Sequence, residues 1–100
     1  MNDGPDDFDG FEWNEEKNKV NRAQRHLDFA DAALIFDDIH IYFEDDRQDY
    51  GEVRNIAIGV VDGNVLVVAW TPRGRNRRII SARLGNKAER LAYRDFRQSY

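Results

Sequence analysis

The sequence predicts an α+β domain in which two N-terminal helices and one C-terminal helix pack on a small antiparallel sheet of about four strands. Three observations support this class. Residues 54 to 83 contain runs of β-branched and aromatic residues separated by turn residues, which is typical of a three-strand meander. Asn14 and Asp28 each precede a helical stretch near the start of the chain. Asn86 precedes another near its end.

The first ten residues are acidic, include Gly4-Pro5 and have no apolar period, which predicts a disordered extension. Residues 11–100 are then expected to form a single domain, because a chain of 100 residues can bury one modest core. The short hydrophobic stretch at residues 11 to 13 suits the stub of an edge strand.

Two helices are predicted next. After Asn14, two glutamates occupy the first turn, where the helix dipole favours carboxylates. This helix is expected to end near Arg25 or His26. The second helix begins after Asp28 and ends before Asp37. Its apolar residues recur at helical spacing at Phe29, Ala32, Ala33 and Phe36.

The strands follow. Ile39 to Phe43 alternates and predicts a short strand, and an acid-rich loop covers residues 44 to 52. Arg54 to Val61 also alternates and meets Asp62-Gly63-Asn64, which suits a tight hairpin. Val65 to Trp70 is an apolar run that suits a central strand buried on both faces.

The last strand and helix complete the domain. Thr71 to Gly74 supplies a turn, because proline presets φ and glycine relieves strain. Arg78 to Arg83 is then the final strand. Asn86 caps a helix from Lys87 to about Arg97.

Composition excludes several classes of protein. The chain has no cysteine, which rules out disulfide scaffolds, thiolate zinc sites and thiol nucleophiles. Its two histidines show no metal-binding spacing, and no phosphate-binding glycine loop is evident, since Gly59, Gly63 and Gly74 belong to predicted strands and turns. We therefore expect no metal and no cofactor. Because no segment resembles a membrane span or a secretion leader, we expect a soluble, cytoplasmic protein.

The net charge of −4 conceals a strong asymmetry along the chain. Residues 1–53 carry 16 acidic and 5 basic side chains, a charge of −11, whereas residues 73–100 carry 9 basic and 2 acidic, a charge of +7. Such a cluster can form a positive face for phosphates. The alternative is a solvated turn and edge strand.

Three stretches of the sequence resemble the BrnT family, the toxin component of type II toxin-antitoxin modules. They cover roughly residues 11 to 93 and read FEWNEEKNKVNRAQRHLDF, DDRQDYGEVRNIAIG and VVAWTPRGRNRRIISARLGNKAERLAY. The resemblance implies a RelE-like fold and metal-independent RNA cleavage that arrests translation. It also implies a BrnA-like ribbon-helix-helix antitoxin, which binds operator DNA, in a complex with two copies of each protein.

Two features depart from the family pattern. The family usually has a Lys-His-Gly turn between its N-terminal helices, where this chain has Arg25-His26-Leu27. Leucine resists positive φ, so a different turn is expected there. The acidic N-terminal tail is an addition to the pattern.

RNA cleavage through the 2′-hydroxyl needs a base, cations that stabilise the phosphorane, and an acid for the leaving oxygen. Arginine suits the cationic role because its planar fork binds phosphate oxygens in pairs. The catalytic candidates are Arg83, Arg78, Arg54, Glu52, His26 and Tyr93, with His40 and Tyr50 as further acid-base candidates. The RNA-binding candidates are Arg73, Arg75, Arg77, Trp70, Lys87 and Arg90.

Each candidate has a structural alternative. Arg83 can form a salt bridge with Glu89, His26 can cap a helix, and Glu52 can be a loop charge. Tyr93 and Trp70 can be core residues. At the level of function, the alternative to a ribonuclease is a non-catalytic module that binds RNA or protein.

Overall fold

A computed structural model describes residues 8–100. In chain order the elements are β1 (Gly10–Trp13), α1 (Glu15–Arg25), α2 (Phe29–Ala32), a 3-10 helix (Ala33–Asp37), β2 (Ile41–Glu44), β3 (Asn55–Val61), β4 (Asn64–Arg73), β5 (Asn76–Leu84) and α3 (Lys87–Ser99). The strands form one sheet in the order β1-β5-β4-β3-β2. Within residues 8–100, no helix is long and apolar enough to span a membrane.

The predicted meander of β3, β4 and β5 is confirmed. Its first hairpin turns at Asp62 and Gly63, whose φ angles of 51° and 81° suit a two-residue turn of type I′. The second turn lies later than predicted, at residues 74 and 75, because β4 continues to Arg73. Pro72 is tolerated in the strand because the pairing of β4 with β3 stops at Trp70, opposite the first residue of β3, which leaves that edge of β4 without a ladder at Pro72.

The predicted sheet of about four antiparallel strands needs correction, because the sheet has five strands and is mixed. The stretch expected to be an edge stub is β1, and it pairs in parallel with β5. This pairing places Glu12 beside Arg78, while the aromatic rings of Phe11 and Trp13 contact Phe36 and Phe29 respectively.

Residues 8 to 10, the last three of the predicted extension, contact the rest of the domain. Phe8 packs edge to face on Trp70, with 5.3 Å between ring centroids. The Asp9 carboxylate accepts a hydrogen bond of 2.7 Å from Arg75. Residues 1–7, the rest of that extension, lie outside the described residues.

The helix starts predicted at Asn14, Asp28 and Asn86 are confirmed, since each side chain accepts a backbone N–H of its own first turn. The predicted second helix, however, is one α-helical turn followed by a 3-10 helix. Its most deeply buried residues, Phe29, Ala32 and Ile35, recur every three residues. Three residues per turn is the period of a 3-10 helix, so this spacing favours the tighter form.

The sheet has two different faces. On the helical face, α2 and the 3-10 helix cover the main core, which includes Trp70 and Ile79. On the opposite face, Tyr93 of α3 packs on Ile58 and Val67. Helix α3 covers only the end of that face nearest the β3–β4 turn. Within residues 8–100, no helix packs over the end nearest the β4–β5 turn. We call the whole side of the sheet that Tyr93 contacts the cleft face.

Candidate functional site

The open end of the cleft face contains a cavity of about 180 Å³ whose charged lining is mostly cationic. We call it the basic cleft, and its charged side chains are Lys17, Arg54, Arg73, Arg78 and Glu52. Four cations and one carboxylate around so small a volume create a positive potential. Arginine and lysine donors converging on one point can bind the oxygens of a phosphate group.

Strand register brings the three arginines together. Arg78 pairs with Thr71 across β4 and β5, and Arg73 follows two residues later on the same side of β4. Arg54 lies immediately before β3, two residues before Ile56 of the cleft-face core, and so points to that same face.

Helix α1 adds the fourth cation. Its far end is fixed by Arg25, which donates to the Ala82 carbonyl at 3.2 Å on the stretch of β5 beyond β1. The helix therefore runs beside the edge of the sheet. Lys17, in its first turn, reaches the basic cleft.

Arg78 is paired within the cleft. It donates to Glu12 of β1 at 2.8 Å, and Asn76 donates to the other carboxylate oxygen at 3.1 Å. The hydrogen bond from Asn76, together with that from Arg78, lowers the pKa of Glu12 below its ordinary value. Glu12 is therefore an anion at neutral pH and a weak base.

Glu52 is held more loosely than Glu12. Its contact with Arg73 is 3.4 Å long, and the Glu52 side chain is 40% exposed. An ion pair of this kind contributes little to stability and rearranges easily. Glu52 is therefore freer than Glu12 to move toward a ligand in the basic cleft.

Arg54 differs from the other two arginines. Its guanidinium carbon lies 3.8 Å from the centre of the Tyr50 ring. Its Nε atom is buried and has no hydrogen-bond partner within the described part of the chain. Arg73 and Arg78 each have a glutamate partner, whereas no ion pair of Arg54 occurs among residues 8–100.

A β-bulge decides where Arg83 points. Ala69 pairs with Ser81 and Trp70 pairs with Ile79, which leaves Ile80 without a partner. The extra residue puts Arg83 on the same face as Arg78, although the two positions are five apart, an odd number that would otherwise place them on opposite faces. Arg83, however, donates to both carboxylate oxygens of Glu89, at 2.7 and 2.8 Å, and does not line the basic cleft. Arg83 therefore forms the salt bridge with Glu89 that was the alternative to a catalytic role.

Two predicted acid-base residues lie away from the basic cleft. His26 ends α1 in the left-handed conformation, with φ of 56°. Leu27, the next residue, therefore does not adopt a positive φ. His26 is exposed and lies nine residues after Lys17, or about 14 Å along the helix. Tyr93 is 4% exposed, donates to the Ile39 carbonyl and accepts from Arg97, each at 2.9 Å.

Trp70 and Arg77 lie on the helical face and are only 2% and 6% exposed. The guanidinium of Arg77 lies 4.2 Å from the centre of the Phe36 ring and 5.0 Å from that of Trp70. Both side chains are thus buried on the face opposite the basic cleft. We leave them out of the proposed site.

The remaining predicted RNA-binding residues are outside the basic cleft. Arg75 lies on the β4–β5 turn and pairs with Asp9. Lys87 is the exposed first residue of α3. Arg90 donates to the Gly85 carbonyl at 3.0 Å.

Sequence reasoning missed Lys17 and Glu12. Glu12 had a usable signal, because a polar residue between two aromatic residues on a short strand faces away from the core. Its partner could not be foreseen, since Arg78 is 66 residues away. Lys17 carried no signal that distinguished it from other helix-surface lysines.

A larger cavity of about 710 Å³ lies beside His40, Phe96 and the carboxylates of Asp37 and Asp38. Its acidic lining repels phosphate, so we prefer the smaller basic cleft as the functional site. His40 Nδ1 lies 2.9 Å from the Asp38 carbonyl oxygen. No group of three or more His, Asp or Glu side chains suited to a metal ion occurs within residues 8–100.

Comparison with known proteins places the chain in a family. A family model described as the ribonuclease toxin BrnT of type II toxin-antitoxin systems matches residues 13–89. The crystal structure of the Brucella abortus ribonuclease toxin BrnT superposes with a TM-score of 0.62 at 28% identity, covering 78% of this chain and 97% of that one. No curated protein matches the sequence. The chain belongs to the BrnT family of ribonuclease toxins of type II toxin-antitoxin systems.

Proposed function

We propose that this toxin is an endoribonuclease whose active site is the basic cleft and whose reaction needs no metal. The observation that carries the proposal is the convergence on one cavity of Arg54, just before β3, Arg73 of β4 and Arg78 of β5. Lys17 adds a fourth positive charge. The scissile phosphate binds among these cations, which stabilise the extra negative charge of the transition state.

The reaction proceeds through the neighbouring 2′-hydroxyl of the RNA. Glu52 accepts the 2′-hydroxyl proton, and the 2′-oxygen attacks phosphorus. The bond from phosphorus to the 5′-oxygen breaks, which yields a 2′,3′-cyclic phosphate and a new 5′-hydroxyl. Lys17 donates the proton that the leaving oxygen needs. The arginines keep their charge throughout, because guanidinium is not deprotonated in proteins.

This assignment favours Glu52 over Glu12 as the base. Both carboxylates are near the arginines, but Glu12 accepts short hydrogen bonds that lower its pKa. The contact between Glu52 and Arg73 is longer, at 3.4 Å. A phosphate that binds Arg73 displaces this contact and frees the carboxylate beside the substrate.

A toxin of a type II module has an antitoxin partner. We propose that the partner is a BrnA-like ribbon-helix-helix protein, which binds the operator DNA and forms a complex with two copies of each chain. It covers the basic cleft with acidic and apolar side chains. Formation of the complex should therefore weaken RNA binding and block cleavage together. A tight complex that cleaves RNA at the full rate would refute this mode of neutralisation.

The test is cleavage of a defined RNA by purified protein in EDTA, with and without ribosomes. Wild type should cleave in the chelator, and its products should carry 2′,3′-cyclic phosphate ends. Arg54→Ala should lower the rate about 100-fold or more, the effect of removing a transition-state donor. Arg94→Ala is the matched control, because Arg94 is exposed on α3 and its ion pair with Asp95 is long, at 3.6 Å.

Two results would reject the proposal. Cleavage that EDTA abolishes would show that the reaction depends on a metal. RNA that binds but stays intact in every setting would favour the non-catalytic binding module.

A further inference from the structure

The loop between β2 and β3 is built around one buried carboxylate. The side chain of Asp45 is 2% exposed and accepts hydrogen bonds from Arg47 Nε and Nη2, each at 2.8 Å. It also accepts one from the Tyr50 hydroxyl at 3.1 Å. At the base of the loop, the Asp45 N–H donates to the Arg54 carbonyl at 2.7 Å. The loop is therefore tied to the residue that enters the basic cleft.

These contacts fix the direction of the Tyr50 hydrogen bond. The hydrogen bonds from Arg47, joined by that from Tyr50, hold the pKa of Asp45 well below its ordinary value. An ionised carboxylate only accepts hydrogen bonds, so the Tyr50 hydroxyl must donate to it. The ring of Tyr50 is thus held at its hydroxyl end.

The guanidinium of Arg54 lies over the face of the Tyr50 ring. With 3.8 Å between the guanidinium carbon and the ring centre, the contact is a close cation–π interaction. This interaction uses none of the N–H donors of the guanidinium. Arg73 and Arg78, by contrast, direct donors to Glu52 and Glu12. The Nη donors of Arg54, unlike its buried Nε, therefore remain for a ligand in the cleft.

We infer that Tyr50 is a positioning residue, which orients the Arg54 guanidinium toward the scissile phosphate and is itself held by Asp45. The inference rests on the proposed function of the basic cleft. It assigns to the β2–β3 loop the task of preorganising one cation before RNA binds. A preorganised donor stabilises the transition state without reorientation during the reaction.

The test is a double-mutant cycle between Tyr50 and Arg54, measured by RNA cleavage. Tyr50→Leu should lower kcat/KM about tenfold, because a guanidinium that the ring no longer holds binds the phosphate less well in the ground state as well as in the transition state. In an Arg54→Ala background, Tyr50→Leu should have no further effect, since its target is gone. Tyr50→Trp keeps an aromatic face and should recover most of the lost rate. Tyr42→Leu, at an exposed tyrosine on β2, is the matched control and should be neutral.

The same cycle measured by binding separates this inference from the proposed function. The probe is a fluorescent 2′-O-methyl oligoribonucleotide, which cannot be cleaved through its 2′-oxygen. If wild type cleaves no RNA, the proposed function fails, but coupling between Tyr50 and Arg54 in binding still supports the positioning role. Equal losses from Tyr50→Leu in both backgrounds, or no loss from it in wild type, would overturn the inference. Far-UV circular dichroism and thermal unfolding check that each variant is folded.

Discussion

Arg77 and Arg78 are neighbours in sequence and lie in opposite environments. Arg77 is buried on the helical face among the rings of Phe36 and Trp70. Arg78 lines the basic cleft on the other side of the sheet, where Glu12 pairs with it. Because side chains alternate along a strand, one step in sequence moves the same residue type from the core to the proposed active site. An arginine-rich segment is therefore not a uniform basic patch.

The largest expected effect is on catalysis at the cleft face. Arg78→Ala should lower kcat/KM for RNA cleavage about 100-fold, since it removes a donor to the phosphate. The free energy of unfolding should change by less than about 1 kcal/mol, because the pair with Glu12 is partly exposed. Single-turnover cleavage and urea unfolding measure the two quantities. Full activity in this variant would remove Arg78 from the proposed site.

The opposite result is expected on the helical face. Arg77→Ala removes a buried side chain from among aromatic rings and should lower the free energy of unfolding by about 3 kcal/mol. Cleavage per folded molecule should stay within about twofold of wild type. Urea unfolding measures the loss of stability, and RNA cleavage at low temperature, where the variant stays folded, measures the activity. A stable variant that no longer cleaves RNA would reverse the roles assigned to the two arginines.

A smaller effect should distinguish the two ends of the cleft face. Tyr93→Phe deletes the hydroxyl that donates to Ile39 and accepts from Arg97, at a cost of about 1 to 2 kcal/mol in the free energy of unfolding. The cleavage rate should not change, because this end of the face is core. Tyr100→Phe, at a residue 79% exposed, is the neutral control. Lost cleavage with unchanged stability would instead support a catalytic Tyr93.

The smallest effect concerns pH. Hydrogen bonds from Arg83 lower the pKa of Glu89 below its ordinary value of 4.5. A carboxyl with a lowered folded-state pKa stabilises the fold while ionised, so its contribution is full above pH 4.5 and is lost as the pH falls through the folded-state pKa.

Glu89→Gln isolates that contribution, because glutamine can still accept the Asn86 N–H in the capping box. Wild type should exceed the variant by about 1 kcal/mol or less in the free energy of unfolding at neutral pH. The difference should shrink in acid, as measured by urea unfolding across the pH range. A difference independent of pH would show that the carboxylate charge does not matter.

Local signals predicted much of the fold. The caps at Asn14, Asp28 and Asn86 and the hairpin at Asp62 act over a few residues, and the structure contains all four. The parallel pairing of β1 and the bulge at Ile80 depend on segments far apart in the chain. No local pattern determines them.

Contacts between distant segments also determine which of the predicted residues lie in the candidate site. The structure brings together Arg54, Arg73, Arg78 and Glu52, all of which the sequence analysis had named, on one cavity. It separates them from Arg77 and Trp70, because the face of each strand residue depends on register. Charge and residue type thus identified candidates, and the pairing of strands selected among them.

The pairing of β1 with β5 also has a consequence for the time at which the toxin becomes complete. Glu12 and Arg78 are joined across 66 residues, and α1, α2, β2, β3 and β4 must all be made between them. Contacts of such long sequence separation form late, after the loops between them close. While β5 is still inside the ribosome, neither Arg78 nor the partner strand of β1 is available to the folded part of the chain. The basic cleft therefore assembles only after β5 has left the ribosome.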